Sequence, residues 1–338
     1  LFNHGSLLYE EASQKQANLN EEIEKEVEEA MEYFKRSSDQ NHSKSQFFLG
    51  AIYYEGEYIG QDIQKAIHYF ALSAAQNNCE SQFCLGLIYY DGELIDKDMN
   101  KAIYYFSLAA DQNNRESQFN LGVIYSESED VKHDIEKAVR YFTLASNSNL
   151  TEANFKLGMI YKENLIKRDM KKAIHYLSLA SSQSYPLAQF ELGMIYYKGE
   201  YIDQDIQKAI HFFQLAAAQN NCESQFCLGL IYYDGELIEK DINKAILYLS
   251  SAADQNNHEA QYILGVIYSE CEDVVHDSEK AVRYFTLASN SNLSKAAFKL
   301  GMIYYEGKLV EMDVNKGIGY LKLAASMNNE DAQNFLKK

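Results

Sequence analysis

One proline and no tryptophan occur in 338 residues. Proline breaks helix interiors, so its near absence leaves long stretches free to be helical. Cysteine is scarce and odd in number: Cys79, Cys84, Cys222, Cys227 and Cys271. Such a set builds no disulfide framework and suits a reducing compartment. A cytoplasmic location is therefore expected, with the endoplasmic-reticulum lumen as the alternative if a signal peptide precedes Leu1. The chain starts on leucine and shows no such signal, as a fragment of a longer protein would. No apolar run approaches the roughly 18 residues that a membrane helix needs, so insertion into a bilayer is not expected. Positive charge is also short, 31 basic residues against 49 acidic, a formal charge of −18. That surface repels phosphate backbones, which argues against nucleic acid. The charge either keeps a large surface soluble or suits a basic partner.

What is present is a repeat. A Leu-Gly pair recurs at Leu49-Gly50, Leu85-Gly86, Leu121-Gly122, Leu157-Gly158, Leu192-Gly193, Leu228-Gly229, Leu264-Gly265 and Leu300-Gly301. The leucines are 36 residues apart throughout, except for one spacing of 35. In the unit from Cys79 to Asn114, Phe83, Leu85, Ile88 and Tyr89 fall at helical spacing. Asp91 to Lys97 breaks the pattern with glycine and charge and reads as a turn. A second helical pattern runs through Ala102, Ile103, Tyr105, Phe106, Leu108 and Ala109. Asp111 to Asn114 closes the unit with residues that bond their own backbone. Units of this size stack only on their neighbours, which makes the fold an all-α solenoid.

Eight aspartates share one place: Asp62, Asp98, Asp134, Asp169, Asp205, Asp241, Asp277 and Asp313. Each precedes a helix and is expected to cap it rather than to serve catalysis or a metal. A lysine follows three residues later in every unit, its stem expected on apolar surface and its ammonium near a carboxylate. The mid-helix glycine costs about 1 kcal/mol relative to alanine. Close approach of a partner helix with small contact residues (Ala66, Ala74, Ala102, Ala110) is the expected reason. Pro186 opens the fifth unit, where a first helical turn lacks a use for its N–H.

The chain divides into an N-terminal degenerate or capping repeat (1–42), eight repeats, and a partial capping helix (330–338). The repeats are 43–78, 79–114, 115–150, 151–185, 186–221, 222–257, 258–293 and 294–329. Residues 21–40 fit only the second helix of a unit, and Gly5 to Glu11 is a candidate degenerate first helix. A longer period overlies the short one: CESQFCLGLIYYDGELI starts at Cys79 and again at Cys222, 143 residues on. This reads as a duplicated block of four units, either neutral or giving two similar binding surfaces.

The repeats resemble the Sel-one-like family, a relative of the tetratricopeptide repeat. Its pattern appears as AQFELGMIYYKGEYIDQDIQKAIHFFQLAAAQNN, from Ala188 to Asn221, and eight times over residues 43–329. The family's frequent second-helix tryptophan is here Tyr69, Tyr105, Tyr141, Tyr176, Phe212, Tyr248, Tyr284 and Tyr320. The resemblance implies a right-handed α-α superhelix, its first helices lining a concave side, that acts as an adaptor or scaffold for proteins. Endoplasmic-reticulum-associated degradation is one setting for such adaptors, and the targeting region of a larger signalling protein such as a kinase is another. A disulfide-rich bacterial branch is linked to β-lactam binding or hydrolysis, but its regular cysteine pairs are missing here.

Chemistry-bearing motifs are few. His258-Glu259 begins like a zinc-protease helix, but Tyr262 stands where its second histidine belongs. The Cys79–Cys84 and Cys222–Cys227 spacings are wrong for zinc. His68, His175 and His211 share one helix position, on helices too far apart for one ion to bridge. Asn41, Asn149 and Asn292 begin glycosylation sequons that matter only in the secretory pathway. No catalytic residue, metal, cofactor or small-molecule substrate is expected. The candidate partner-binding residues follow the recurrent tyrosine: Tyr54, Glu55, Tyr90, Asp91, Tyr197, Tyr233, Asp234, Tyr305 and Glu306. At the same place stand Ser126-Glu127, Lys162-Glu163, Tyr197-Lys198 and Ser269-Glu270. In the related tetratricopeptide arrangement these positions face the concave groove, and variation over a fixed core suits a surface that reads a protein or peptide ligand. The other reading, equally open, packs these tyrosines under the loop.

Overall fold

The computed structural model describes residue 6 and residues 20–57, 59–163 and 165–337. The described residues form helices and no strand. The chain divides into two compact units, Leu1–Tyr176 and Leu177–Lys338. In the first lie α1 (Asn20–Ser38), α2 (Ser43–Glu55), α3 (Ile63–Ala74), α4 (Cys79–Asp91), α5 (Met99–Asp111), α6 (Arg115–Glu127), α7 (Ile135–Asn147) and α8 (Thr151–Glu163). The boundary falls inside α9 (Met170–Ser182). The second unit continues with α10 (Pro186–Lys198), α11 (Ile206–Ala217), α12 (Cys222–Asp234), α13 (Ile242–Asp254), α14 (His258–Glu270), α15 (Ser278–Asn290), α16 (Ser294–Glu306), α17 (Val314–Ser326) and α18 (Glu330–Leu336). Each unit is a stack of helix hairpins.

The second repeat shows why the sequence folds this way. Asn78 accepts the Ser81 N–H at 2.8 Å and so caps α4. Gly92 ends that helix at φ +68°, a left-handed conformation that costs glycine nothing. Asp98 accepts the Lys101 N–H at 3.1 Å and starts α5. The closing asparagines divide the labour: Asn113 takes φ +63° to turn the chain, and Asn114 caps α6 through the Ser117 N–H at 2.7 Å. Positive φ recurs at Asn41, Asn77 and Asn149 in the first unit, and at Ser184, Asn220, Asn256, Asn292 and Asn328 in the second. The three sequon asparagines are therefore turn residues of the repeat, chosen for the one conformation that Asn tolerates well. Caps by the aspartate series span 2.9–3.1 Å, from Asp62 to Asp313. Pro186 sits at the first position of α10.

Neighbouring hairpins within a unit share buried clusters. Ala102 and Phe106 of α5 pack with Leu121 and Ile124 of α6, all shielded from water. Burying one such side chain stabilises by about 1.5–3 kcal/mol. The glycine does lie against a closely approaching second helix, but the contacting residue is not the small one expected from sequence. It faces a large side chain, not a small one: a Cβ on Gly50 would stand 2.6 Å from the Phe70 ring. In the second unit Gly193 underlies Phe213, and Gly229 underlies Leu249. The alanines lie elsewhere in the same interface, so the glycine makes room for a large side chain of the second helix, phenylalanine or leucine. In the leucine units the helix backbone also comes close to such a Cβ, 3.3 Å at Leu249 and 3.1 Å at Leu321.

α1 behaves as the second helix of a unit, burying Val27, Ala30, Met31 and Phe34 against Leu49 and Ile52. The candidate first helix from Gly5 to Glu11 lies, apart from Ser6, outside the described residues. In the second unit α18 closes the last repeat, with Ala332 packed against Ala297, Leu321 and Ala324.

Candidate functional site

In the first unit Tyr54 and Tyr90 stand at the ends of α2 and α4, both half-buried. Their rings lean on the second-helix phenylalanines, Tyr54 on Phe70 at 6.5 Å and Tyr90 on Phe106 at 6.2 Å. The loop supplies a cover for Tyr90: the Lys97 ammonium lies 5.7 Å from its ring centre and pairs with Asp130 at 2.7 Å. Burial pushes the Tyr54 phenol up, and Asp91, Cys84 and Glu93 add to it. Glu55 and Asp91 are exposed at the same helix ends. Partial burial, then the nearby Glu93, holds the Asp91 carboxyl above its ordinary range.

The second unit repeats the arrangement. Tyr197 leans on Phe213 at 6.4 Å, and Tyr233 packs on the core beneath Lys240, at 5.9 Å, which pairs with Asp273 at 2.7 Å. Burial raises the Tyr197 and Tyr233 phenols. Asp234, raised by burial and Glu236, is the counterpart of Asp91. Tyr305 meets Phe335 of α18 edge-on at 5.0 Å, and Glu306 pairs with Lys308 at 2.8 Å. The tyrosines thus have one flank on aromatic or core side chains while part of each residue reaches solvent.

Where the tyrosine is absent the surface changes. The Ser126 hydroxyl donates to the Gly122 carbonyl at 2.8 Å, and Ser269 does the same to Gly265 at 2.7 Å. Neighbouring first helices are joined by ion pairs at these places, Lys156 with Glu127 at 2.6 Å and Lys299 with Glu270 at 2.7 Å. Beside Ser126 lies a cavity of 240 Å³. The only sequence signal for this space is the Ser-for-Tyr exchange, which does not locate it. A larger concavity of 910 Å³ in the second unit lies among polar groups, including Gln207, His211 and Gln214 of α11 and Lys240.

The repeated lysine does more than its spacing from the aspartate implies. Lys101 pairs with Asp98 at 3.3 Å and also sits 4.7 Å from the Tyr89 ring centre, which stacks on Tyr105 at 6.0 Å and 5°. The same three layers recur as Lys65, Tyr53 and Tyr69 in the first unit, and as Lys244, Tyr232 and Tyr248 in the second. Burial pushes the Cys84 and Cys227 thiols up to about 11, which makes these two poor nucleophiles. His68 and His211 pack edge-on against Tyr69 and Phe212. Among the described residues no three His, Cys, Asp or Glu side chains are placed to hold a metal, and no helix is long and apolar enough to cross a membrane.

A family model described as the Sel1 repeat matches residues 19–42, 43–78, 79–114, 115–150, 151–185, 186–221, 222–257, 258–293 and 294–329. Two solved structures are similar over most of the chain. One is a protective antigen of uropathogenic Escherichia coli strains that displays an SLR fold, at 25% identity and TM-score 0.77, covering 97% of this chain and 73% of that one. The other is a Sel1 repeat protein from Oxalobacter formigenes, at 29% identity and TM-score 0.74, covering 91% and 89% respectively. The comparison with curated proteins gives no match.

Proposed function

Because this chain belongs to the Sel1 repeat family, we propose that it holds a protein or peptide partner along the first-helix face of its repeats. Sel1 repeat proteins are generally protein-interaction scaffolds, and the fold is typically non-enzymatic. The observation that carries the reading is the series of tyrosines, half-buried except for the exposed Tyr305, interrupted by serine and lysine and set over an otherwise uniform core. Tyrosine offers a large rigid contact and a hydroxyl at little entropic cost, which suits it to anchoring a partner. The surplus of 18 negative charges and the carboxylates beside the tyrosines favour a basic segment.

The test compares partners recovered from the native cell by the unaltered chain and by the Tyr90→Ala, Tyr233→Ala double variant, identified by mass spectrometry. A partner enriched by the first and lost by the second, with circular dichroism unchanged, supports the reading. Equal recovery by both places the contact elsewhere.

A further inference from the structure

The tyrosine row is broken in the third repeat, and the break is lined for a ring. Ser126 stands where Tyr54 and Tyr90 stand in the two preceding repeats. Its hydroxyl is turned onto its own helix, 2.8 Å from the Gly122 carbonyl, so it gives this wall little polarity. The 240 Å³ cavity beside it has Phe155, Met159 and Leu165 as sides, with Phe142 and Ile160 buried beneath. Leu165 is 52% exposed and Ile166 42%, so an apolar lip continues outward from the opening. Thioether and ring surfaces are good partners for the edge or face of an aromatic side chain.

The rim is charged. Glu127 and Glu163 line the cavity with a single ammonium, Lys156, which is spent on Glu127 at 2.6 Å. The exposed Lys167 and Arg168 follow the apolar lip, so a cation beside an inserted ring meets carboxylate only on the side of Glu127 and Glu163.

We propose that this cavity receives an aromatic side chain from a linear segment of another protein, with an arginine or lysine next to it meeting Glu127 and Glu163. The assignment rests on the scaffold reading and names the chemistry of the partner at one position of that face. An aromatic occupant follows from the neighbours: the equivalent place in the first, second, fifth, sixth and eighth repeats holds a tyrosine ring. The hairpin geometry therefore already accommodates one.

The probe is the peptide Ac-Gly-Phe-Arg-Gly-amide, titrated into the full chain carrying 13C-labelled methionine and isoleucine methyl groups. Saturable shifts at the Met159 and Ile160 methyls are expected. Replacing phenylalanine in the peptide by alanine, or arginine by glutamate, should weaken binding at least ten-fold. The Ser126→Tyr variant fills the space with the residue its neighbours use, so it should keep its melting temperature and bind at least ten-fold more weakly. If that variant folds poorly, Leu165→Glu at the exposed lip gives the same readout. Absence of saturable shifts at Met159, or equal binding by Ser126→Tyr and Leu165→Glu, overturns the proposal. Equal binding of the glutamate peptide overturns its basic half. Partner recovery by the Ser126→Tyr chain separates the two readings. A partner still dependent on Tyr90 and Tyr233, with no peptide response, sinks the cavity alone; a Ser126-dependent peptide response without any such partner sinks the tyrosine face alone.

Discussion

The Phe106 ring lies over Gly86 so closely that a methyl group on the glycine would stand 2.5 Å from the phenylalanine Cδ1. Helix propensity favours alanine over glycine by about 1 kcal/mol. Packing opposes it, because the clash is with the fixed inner atoms of a buried ring, and overpacking costs about 1–3 kcal/mol. Gly86→Ala should therefore lower the thermal midpoint in spite of its better propensity. A midpoint equal to or above that of the unaltered chain would show that the ring moves aside cheaply.

Ser184 holds φ +61° at a place where the other eight junctions of the chain carry asparagine. Asparagine enters the left-handed region at lower cost than most residues. Ser184→Asn should stabilise by a few tenths to about 1 kcal/mol, read as a higher urea midpoint. A lower midpoint would mean that the serine hydroxyl is needed where it stands.

Buried Gln82 accepts a hydrogen bond from Gln112 at 2.7 Å, and Gln225 accepts one from Gln255 at 2.8 Å. At the matching place Gln118 has a buried oxygen without a partner, as has Gln261, because Ser148 and Ser291 are too short to reach. Ser148→Gln should supply the donor to Gln118 and stabilise by about 1 kcal/mol. Ser148→Ala is the control and should show no gain. Equal midpoints for the Gln and Ala variants would indicate that the oxygen is already satisfied by water.

The capping aspartates set an acid limit. The Lys101 N–H bonded to Asp98, followed by the ammonium of the same residue, holds that carboxyl below its ordinary value of 3.8. Asp62, Asp205, Asp241 and Asp277 are lowered in the same way. A carboxyl lowered on folding stabilises fully above its unfolded value, and the contribution disappears as pH falls through the folded one. The melting temperature should therefore drop below about pH 4. Asp98→Asn keeps a capping oxygen that does not titrate, so its acid limb should be shallower. Identical limbs would assign the acid loss to other carboxylates.

Much of the fold is legible in the order of the residues alone. Asp98 capping Lys101, Asn114 capping Ser117 and Pro186 starting a helix are contacts within three residues, and local spacing in the chain is enough to specify them. The reason for the glycine is not legible there, because Gly86 and Phe106 are 20 residues apart and their meeting depends on how two helices close. Spacing puts the lysine beside its aspartate, but its position over Tyr89 requires the first helix to be present in space.

The sequence by itself determined the two-helix unit, its register and its stacking, since apolar stripes recurring every 36 residues can leave water only by packing hairpin on hairpin. Tertiary structure decided which flank of each tyrosine is covered and what becomes of the space at Ser126. Those outcomes depend on side chains from three helices and a loop meeting at one point. No one-dimensional pattern carries the volume that such a meeting leaves empty.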